Sequence, residues 1–190
     1  MKIAIIGYGK MGKTIEQLAQ QNGHEVLLKI DANNTQDFQL TSLQKADVAI
    51  EFSRPDTAYS NIMHCFEANI PVVCGTTAWL DQYDKVADYC QKNKQAFFYA
   101  SNFSIGVNIF FEINKKMAAL MNHQQGYQVH LEEIHHIQKL DAPSGTAVTL
   151  AEDIVHKINR YQDFALTATD QSENTVPISA KRISDTPGTH

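Results

Sequence analysis

One short stretch of the chain gathers residue types that can move protons and hold an anion. Residues 132–147 read EEIHHIQKLDAPSGTA, with His135 and His136 adjacent and Lys139 three positions later. Imidazole and ammonium groups often transfer protons or stabilise negative charge. The PSGT run that follows is typical of a helix N-terminus, whose hydroxyl and free N–H groups bind carboxylates. We therefore predict a site for a small acidic molecule, with proton donors beside it.

The orientation of the two histidines depends on the local structure. Residues 127–137 have the pattern of a strand, in which neighbouring side chains point to opposite faces. His135 and His136 are therefore expected to diverge, so that one faces the ligand and the other is held behind it. A metal site is not predicted, because no cysteine or third histidine has suitable spacing. The helix start contributes three candidate carboxylate contacts, Ser144, Gly145 and Thr146.

A second candidate site lies near the beginning of the chain. Gly7, Gly9 and Gly12 in GYGKMG have the G-x-G-x-x-G spacing, after an apolar run and before a helical pattern. In that context the glycines permit a tight turn, a close backbone approach to a pyrophosphate and close packing of helix on strand. Asp31 ends the next strand about 20 residues later, where an acid accepts the ribose hydroxyls. A structural turn with a surface aspartate would not need this arrangement, so we predict a dinucleotide site.

The residues around Asp31 indicate which dinucleotide is preferred. Ala32 follows it, and no arginine is adjacent to neutralise a 2′-phosphate. We therefore expect NADH to be the preferred cofactor, with NADPH possible if Lys29 or a loop lysine reaches the phosphate. Arg54 follows the third strand, and it could contact phosphate or simply be a solvated loop residue.

These motifs need a framework that places them at one edge of a sheet. Through the first hundred residues, continuous apolar runs alternate with helical patterns, as in a parallel sheet covered on both faces. CGTTAW (74–79) and ASNF (100–103) follow two of the strands, at the edge where such sheets bind ligands. Residues 32–46 are polar and show no clear pattern. The predicted elements are strands 3–6, 25–30, 47–52, 71–75 and 96–100, and helices 10–22, 56–69 and 80–93.

The pattern changes after Asn102, which predicts two domains. Residues 1–103 are expected to form an α/β dinucleotide-binding domain with a Rossmann-type doubly wound parallel sheet. Residues 104–190 are expected to form a smaller α+β domain with an open mixed sheet, for substrate binding and oligomerisation. Two strands alone make a marginal sheet, so another subunit or residues beyond His190 should complete it. The elements predicted here are helices 106–121 and 146–161, and strands 127–137 and 176–184.

Composition excludes several classes of protein. The 190 residues are 43% hydrophobic, which is enough for a core, and the net charge of −5 without blocks of like charge argues against nucleic acid or an anionic membrane as partner. The opening MKIAIIG is too short for a signal peptide, and no stretch approaches a membrane span. The three cysteines, at 65, 74 and 90, fit no disulfide framework. We therefore expect a cytoplasmic protein that acts on a small molecule.

The motifs together resemble one known family. The stretch from Glu132 to Ala147, the glycine loop, GTT at 75–77 and ASNFSIGVN at 100–108 are similar to the 4-hydroxy-tetrahydrodipicolinate reductases of bacterial lysine biosynthesis. This resemblance implies reduction of a hydroxylated cyclic dicarboxylate by NAD(P)H, giving tetrahydrodipicolinate with loss of water. It also implies a homotetramer built through the second domain. Family members continue beyond the position of SDTPGTH, so the sequence is expected to lack a C-terminal part.

The resemblance also implies roles for individual residues. His135 corresponds to a proton donor or acceptor and Lys139 to a proton donor, while His136 and the Gly145–Thr146 pair correspond to contacts of the substrate carboxylate. We expect Lys139 to stabilise charge and deliver the proton, although His135 stays an alternative donor. Lys10 stands where many relatives have arginine, in a loop one residue shorter, so this position departs from the family pattern. The expected cofactor contacts are Gly7, Tyr8, Gly9, Lys10, Met11, Gly12, Asp31, Gly75, Thr76, Thr77, Ala100, Ser101, Asn102 and Phe103.

Two other functions fit parts of the sequence. The first alternative is another NAD-dependent dehydrogenase of a small amino or carboxylic acid. A dehydrogenase of this kind that acted on a semialdehyde would need a nucleophilic cysteine. Cys74 abuts GTT, but it lies in an apolar strand without an adjacent base. The other is a non-catalytic dinucleotide sensor, which would not need proton donors at His135 and Lys139.

Overall fold

The computed structural model describes residues 1–167 and 172–190 of the chain. These residues form two compact units, Met1–Ser101 and Asn102–His190, each with its own buried apolar core. In the part of the chain that is described, no helix combines the length and the apolar character needed to cross a membrane.

The first unit is a five-stranded parallel sheet flanked by helices. Its elements are β1 (Lys2–Ile6), α1 (Lys10–Gln21), β2 (Glu25–Ile30), α2 (Leu40–Leu43), β3 (Val48–Glu51), α3 (Pro55–Glu67), β4 (Val72–Cys74), α4 (Tyr83–Lys92) and β5 (Phe97–Tyr99). The strand order is β2-β1-β3-β4-β5, and every pair is parallel. Because β2 and β3 lie on opposite sides of β1, the order reverses there and opens a crevice at the carboxyl ends of the strands. The prediction of a Rossmann-type sheet is confirmed.

The central strands are buried because helices cover both faces of this sheet. Ile5 and Ile6 are at most 1% exposed although they point to opposite faces, which explains why the sequence shows a continuous apolar run. Residues 32–46, which show no clear pattern, contain a 3₁₀ turn at Thr35–Asp37 and the single-turn helix α2. Leu43 of α2 is fully buried and attaches this segment to the core.

The second unit is a three-stranded sheet with two helices packed against it. Its elements are α5 (Ile105–Met121), β6 (Leu131–His135), α6 (Gly145–Lys157), β7 (Asp163–Leu166) and β8 (Thr175–Arg182). The strand order is β6-β8-β7, and both pairs are parallel. The core between helices and sheet contains Leu150, Ile154, Val176 and Ile178. Buried Asn114 of α5 donates to the carbonyl of Leu150, which ties the two helices together.

Three expectations for this unit need correction. The prediction of two strands is wrong, because β7 is a third; its four residues are too few to show a periodic pattern. The strand expected over 127–137 pairs only from Leu131 to His135, since its partner β8 begins to face it at Ile178. The sheet expected to be mixed has parallel strands throughout the described residues. Its antiparallel contact is an isolated bridge between Ile134 and Thr189, which returns the end of the chain to β6.

Truncating a core residue of α6 should destabilise the second unit. Leu150 is 2% exposed, and Leu150→Ala should lower the free energy of unfolding by about 2–5 kcal/mol, because a buried side chain is lost and a cavity remains. Urea unfolding followed by circular dichroism measures this. Glu152→Ala, on the exposed face of the same helix, is the control and should change stability by less than about 0.5 kcal/mol. Equal midpoints for both variants would contradict the packing described here.

Candidate active site

Three strand ends of the first unit surround a cavity of about 410 Å³. Gly7 follows β1 with a φ of 93°, and a Cβ at this position would lie 1.9 Å from the carbonyl oxygen of Phe52, so glycine is required. Asp31 follows β2 at the same edge, and its Oδ1 accepts a hydrogen bond from the N–H of Asn33. The expected cofactor residues that line this cavity are Gly7, Tyr8, Gly9 and Asp31, and Arg54 lines it too.

Helix α1 presents its N-terminus beside this cavity. Gly9 is its N-cap and offers no side chain to satisfy the first N–H groups, so these groups are available to phosphate oxygens. A Cβ at Gly12 would lie 2.3 Å from the carbonyl oxygen of Gly7, so helix and loop pack as closely as the motif predicts. The exposed residues Lys10 and Met11 stand in the first helical turn. These features fit a dinucleotide pyrophosphate.

A smaller cavity of about 220 Å³ brings together Met11, Gly75, Thr76 and Thr77. Beneath it lies the fully buried carboxylate of Glu51, at the end of β3. This carboxylate accepts hydrogen bonds from the hydroxyl of Thr76 at 2.7 Å and from that of Ser53. The sequence did not reveal Glu51 as the residue that holds these two hydroxyls.

The last group of expected cofactor residues, Ala100–Phe103, does not line either cavity. The N–H of Ala100 continues the sheet by donating to the carbonyl of Cys74. Ser101 ends the first unit, and Asn102 and Phe103 begin the second. In the second unit, Asn102 accepts a hydrogen bond from the N–H of Ser104, the N-cap of α5.

Cys74 is unsuited to act as a nucleophile. Burial and the negative charge of Glu51 raise the pKa of its thiol, which donates to that carboxylate at 3.1 Å. Nucleophilic cysteines instead need an environment that favours the thiolate. The structure therefore argues against a semialdehyde dehydrogenase that uses this cysteine.

The candidate site of the second unit is built around another buried carboxylate, that of Glu133 on β6. Its Oε2 accepts a hydrogen bond from the N–H of Ser144 at 2.9 Å, and its Oε1 accepts one from Arg182 at 3.1 Å. Burial alone would raise the pKa of this carboxyl, but these hydrogen bonds outweigh burial and lower the pKa. Glu133 is therefore an anion that joins β6, β8 and the start of α6.

The two histidines diverge, as expected at the end of a strand. His135 is buried and His136 is exposed. The Nδ1 atom of His135 lies 3.8 Å from Oε2 of Glu133 and has no hydrogen-bond partner among the described residues. Burial lowers the pKa of His135, and the positive charges of Lys139 and Arg182 lower it further, against the opposing effect of Glu133. The imidazole is therefore neutral at pH 7.

A third histidine, which sequence spacing did not reveal, lies beside this pair. His190 packs against His135 with ring centroids 5.1 Å apart, and its Nε2 hydrogen-bonds the hydroxyl of Ser144 at 2.9 Å. Donor atoms of Glu133, His135 and His190 lie within 4.8 Å of one another, a grouping that could attract a metal ion. However, Oε2 of Glu133 is 3.8 Å from Nδ1 of His135 and 3.8 Å from Nε2 of His190. The ligand atoms of a tetrahedral zinc ion lie about 3.3 Å apart. The guanidinium of Arg182 on the same carboxylate also repels a cation, so we interpret the group as a hydrogen-bonding cluster.

At the start of α6, some groups hold the helix in place and others remain available to bind a ligand. Ser144 is 3% exposed, and its hydroxyl accepts from the N–H of Ala147 as an N-cap. Its N–H is bound to Glu133, so Ser144 holds the helix start, and its contact with a ligand stays a prediction. The N–H groups of Gly145 and Thr146 lie in the first turn, where no intrahelical partner exists. They are the groups of this stretch that can receive a carboxylate.

Lys139 lies in the loop between β6 and α6. Its ammonium donates to both carboxylate oxygens of Asp141, at 2.9 and 2.8 Å. Arg182, in register with His135 on the neighbouring strand, donates to the carbonyl oxygens of Lys139 and Asp141. The structure thus places Lys139, His135 and the start of α6 around one cluster.

Comparison with known proteins decides which family this architecture represents. The family profile described as "Dihydrodipicolinate reductase, N-terminus" matches residues 1–103, and the profile "Dihydrodipicolinate reductase, C-terminus" matches residues 106–190. The chain belongs to the dihydrodipicolinate reductase family. Membership makes it an oxidoreductase whose first unit binds a nicotinamide cofactor and which acts on a small substrate.

Individual dihydrodipicolinate reductases agree with this assignment. The chain is 48% identical over all 190 residues to 4-hydroxy-tetrahydrodipicolinate reductase of Christiangramia forsetii, of which it covers 78%. It is 32% identical to the Neisseria meningitidis serogroup A enzyme of the same name, over 84% of this chain and 66% of that one. A dipicolinate-bound dihydrodipicolinate reductase from Paenisporosarcina sp. TG-14 shares the fold, with a TM-score of 0.72, 24% identity and coverage of 99% and 80%.

The low pKa of His135 should make the stability of this reductase fall in acid. In the unfolded chain this histidine takes up a proton near pH 6.5, whereas in the folded protein it does so only at lower pH. The free energy of unfolding therefore declines as the pH falls from about 6.5 through the lower folded pKa. His135→Gln should reduce this decline. Urea midpoints between pH 8 and pH 5 measure it, and His123→Gln, at an exposed histidine, should leave the slope unchanged. A parallel decline in all three proteins would remove His135 as the cause.

Proposed function

We propose that the chain reduces 4-hydroxy-tetrahydrodipicolinate in lysine and diaminopimelate biosynthesis. The balanced reaction consumes the hydroxylated dicarboxylate, NAD(P)H and a proton, and yields tetrahydrodipicolinate, NAD(P)⁺ and water. The observation that carries the proposal is the grouping of Lys139, His135 and the free helix start around Glu133, in a chain of this family. A sensor would not need these proton-transferring groups.

Substrate recognition is assigned to the second unit. The N–H groups of Gly145 and Thr146 offer directed donors and the positive end of a helix to one carboxylate. His136 is exposed one residue after β6, and it is the second expected contact. Glu133 and Ser144 act behind them by fixing the helix start. Dipicolinate, a planar analogue of the product, should therefore compete with the substrate.

Lys139 is assigned the proton and His135 a supporting role. Once the substrate has lost water, a hydride from a bound nicotinamide would leave negative charge on a conjugated enamine, which must be protonated. The ammonium of Lys139 stabilises this charge and donates the proton. Neutral His135 cannot donate as an imidazolium at pH 7, but it can orient the substrate, or relay a proton to the lysine by accepting one at one ring nitrogen and releasing the other. Asp141 holds the ammonium until a substrate carboxylate exchanges with it.

Lys139→Met tests this assignment. The turnover number should fall by about 10²–10⁴-fold, the usual contribution of a positioned acid, while the Kd for NADH stays unchanged because none of the expected cofactor contacts lies in the stretch that carries Lys139. Cofactor oxidation followed by absorbance, with enzymatically generated substrate, gives the turnover number. Lys157→Met, at an exposed lysine that ends α6, is the matched control. If the Lys139 variant is as active as the parent, the assignment is wrong and water donates the proton.

The same assay tests the proposed function itself. The parent protein should oxidise NADH in the presence of the hydroxylated dicarboxylate, and it should not reduce NAD⁺ when aspartate semialdehyde or a simple 2-hydroxy acid is offered as the hydride donor. Turnover of one of those alternatives alone would favour the second candidate, another NAD-dependent dehydrogenase of a small amino or carboxylic acid. Binding of NADH without turnover of any substrate would favour a sensor.

We assign NADH as the preferred cofactor. The acid Asp31 stands where a 2′-phosphate would lie and would repel it. Lys29, a residue that could have offset this charge, is paired with Glu16 at 3.1 Å and lies over the ring of Tyr8. The Glu16 hydrogen bond also raises the pKa of Lys29. Arg54 is paired with Asp56, so it too would have to leave a partner.

Cofactor titration tests this preference. NADH should bind at least as tightly as NADPH, and Asp31→Ala should narrow the difference by improving NADPH binding. Lys29→Met is the control and should leave the ratio of the two dissociation constants unchanged. A clear preference of the parent for NADPH, or loss of NADPH binding alone in Lys29→Met, would contradict the assignment.

We also propose a homotetramer that assembles through the second unit. In the described residues β7 is an edge strand of the sheet, and this edge and the alternating exposure along β6 leave surface on which another subunit can pack. Light scattering should give four times the 21.3 kDa of one chain. A mass of one chain at micromolar concentration would contradict the proposal.

A further inference from the structure

Arg182 holds the loop that carries Lys139 through three different acceptors. Its Nε donates to the carbonyl oxygen of Lys139 at 3.2 Å. Its Nη2 donates to the carbonyl oxygen of Asp141 at 2.5 Å and to Oε1 of Glu133 at 3.1 Å. The side chain is 21% exposed, so most of it is withdrawn from water. One guanidinium therefore ties two backbone positions of the loop to the buried anion of β6.

This loop has little apolar anchoring of its own. Leu140 is 96% exposed and Ile137 is 64% exposed, so its large apolar side chains do not attach it to the core. The ion pair between Lys139 and Asp141 joins two residues of the same loop and cannot fix the loop to the sheet. The Arg182 hydrogen bonds do so, because Arg182 belongs to β8 and is paired in register with His135 of β6.

We propose that Arg182 is a positioning residue, which sets Lys139 at the distance from His135 and the helix start that proton transfer needs. The inference rests on the proposed function of Lys139 as proton donor. Glu133 is the anchor of this arrangement, because its charge orients the guanidinium and its other oxygen holds Ser144. Arg182 acts through the backbone of the loop and need not touch the substrate.

The geometry requires arginine rather than any cation. The planar guanidinium has five donors in a fixed fork, whereas a lysine ammonium is a point charge on a flexible stem. In Arg182→Lys, the ammonium can still pair with Glu133, so the charge of the cluster is kept. It cannot hold the carbonyls of Lys139 and Asp141 at the same time, so this substitution separates positioning of the loop from neutralisation of the anion.

The experiment compares Arg182→Lys with Lys181→Gln. Lys181 is the preceding residue of the same strand and forms a separate ion pair with Glu132, which makes it a matched control. Arg182→Lys should lower kcat by about 10- to 100-fold, the scale for misplaced catalytic groups, with a smaller loss of dipicolinate affinity and a Kd for NADH within about twofold of the parent value. Lys181→Gln should keep kcat within about twofold of the parent value. Hydrogen exchange of the amides of residues 138–142 should become faster in Arg182→Lys alone.

A second variant distinguishes the anchor from the loop contacts. Glu133→Gln keeps the shape but removes the charge that holds both Arg182 and Ser144. Dipicolinate affinity should therefore fall together with kcat, whereas Arg182→Lys should lower kcat much more than dipicolinate affinity. The split between kcat and analogue affinity is a signature that a general loss of stability would not produce.

The inference is overturned by either of two results. Parent-like kcat and parent-like exchange in Arg182→Lys would show that the loop holds itself. Equal losses of kcat, dipicolinate affinity and thermal stability would show that Arg182 is merely structural. Absence of reductase activity in the parent would instead contradict the proposed function. Hydrogen exchange of the amides of residues 138–142 would then still decide whether Arg182 fixes the loop.

Discussion

A carboxylate removed from water must be surrounded by donors, and the second unit satisfies this requirement for Glu133. The donors are the N–H of Ser144 at the start of α6 and the guanidinium of Arg182 on β8. Strand, helix start and neighbouring strand are therefore fixed relative to one charge. Breaking either contact would leave a buried anion partly unpaired, which costs several kcal/mol. The position of the helix start that we propose for the substrate carboxylate depends on this interaction.

The first unit uses the same device at a different place. Glu51 is fully buried at the end of β3, and its carboxylate orients the hydroxyls of Ser53 and Thr76 at the edge of a cavity. In each unit a glutamate near the carboxyl end of a strand stays below the surface, and the groups that it holds line or support the site above it. The polar residues that meet ligands are thus held by charges that do not themselves meet ligands.

Sequence reasoning succeeded where the signal is local and failed where it depends on strand pairing. Gly7 and Gly12 are predictable because a tight turn and a close helix–strand contact leave no room for a Cβ. Arg182 and His190 were missed, since they approach His135 only through the pairing of β8 with β6 and through the bridge at Thr189. Ser144 was interpreted as a ligand contact because an N-cap serine and an anion-binding serine have the same pattern. The hydrogen bond from its N–H to Glu133 shows that Ser144 holds the helix start, and its contact with a ligand stays a prediction.

The charges of the second site support the proposed use of one lysine, Lys139, in both recognition and proton transfer. Arg182 is committed to Glu133 and to two carbonyls, and His135 has a lowered pKa and is neutral at pH 7. The positive charge of Lys139 is balanced by Asp141, a partner in the same loop that is 43% exposed and so is weakly bound. A dicarboxylate that approaches the helix start can therefore draw this ammonium away from Asp141 without breaking a buried pair. Arg182 holds the backbone of Lys139, so the ammonium can change partners while the backbone stays in place. The distance that the ammonium can span is therefore set by the position of the loop and not by the ion pair with Asp141.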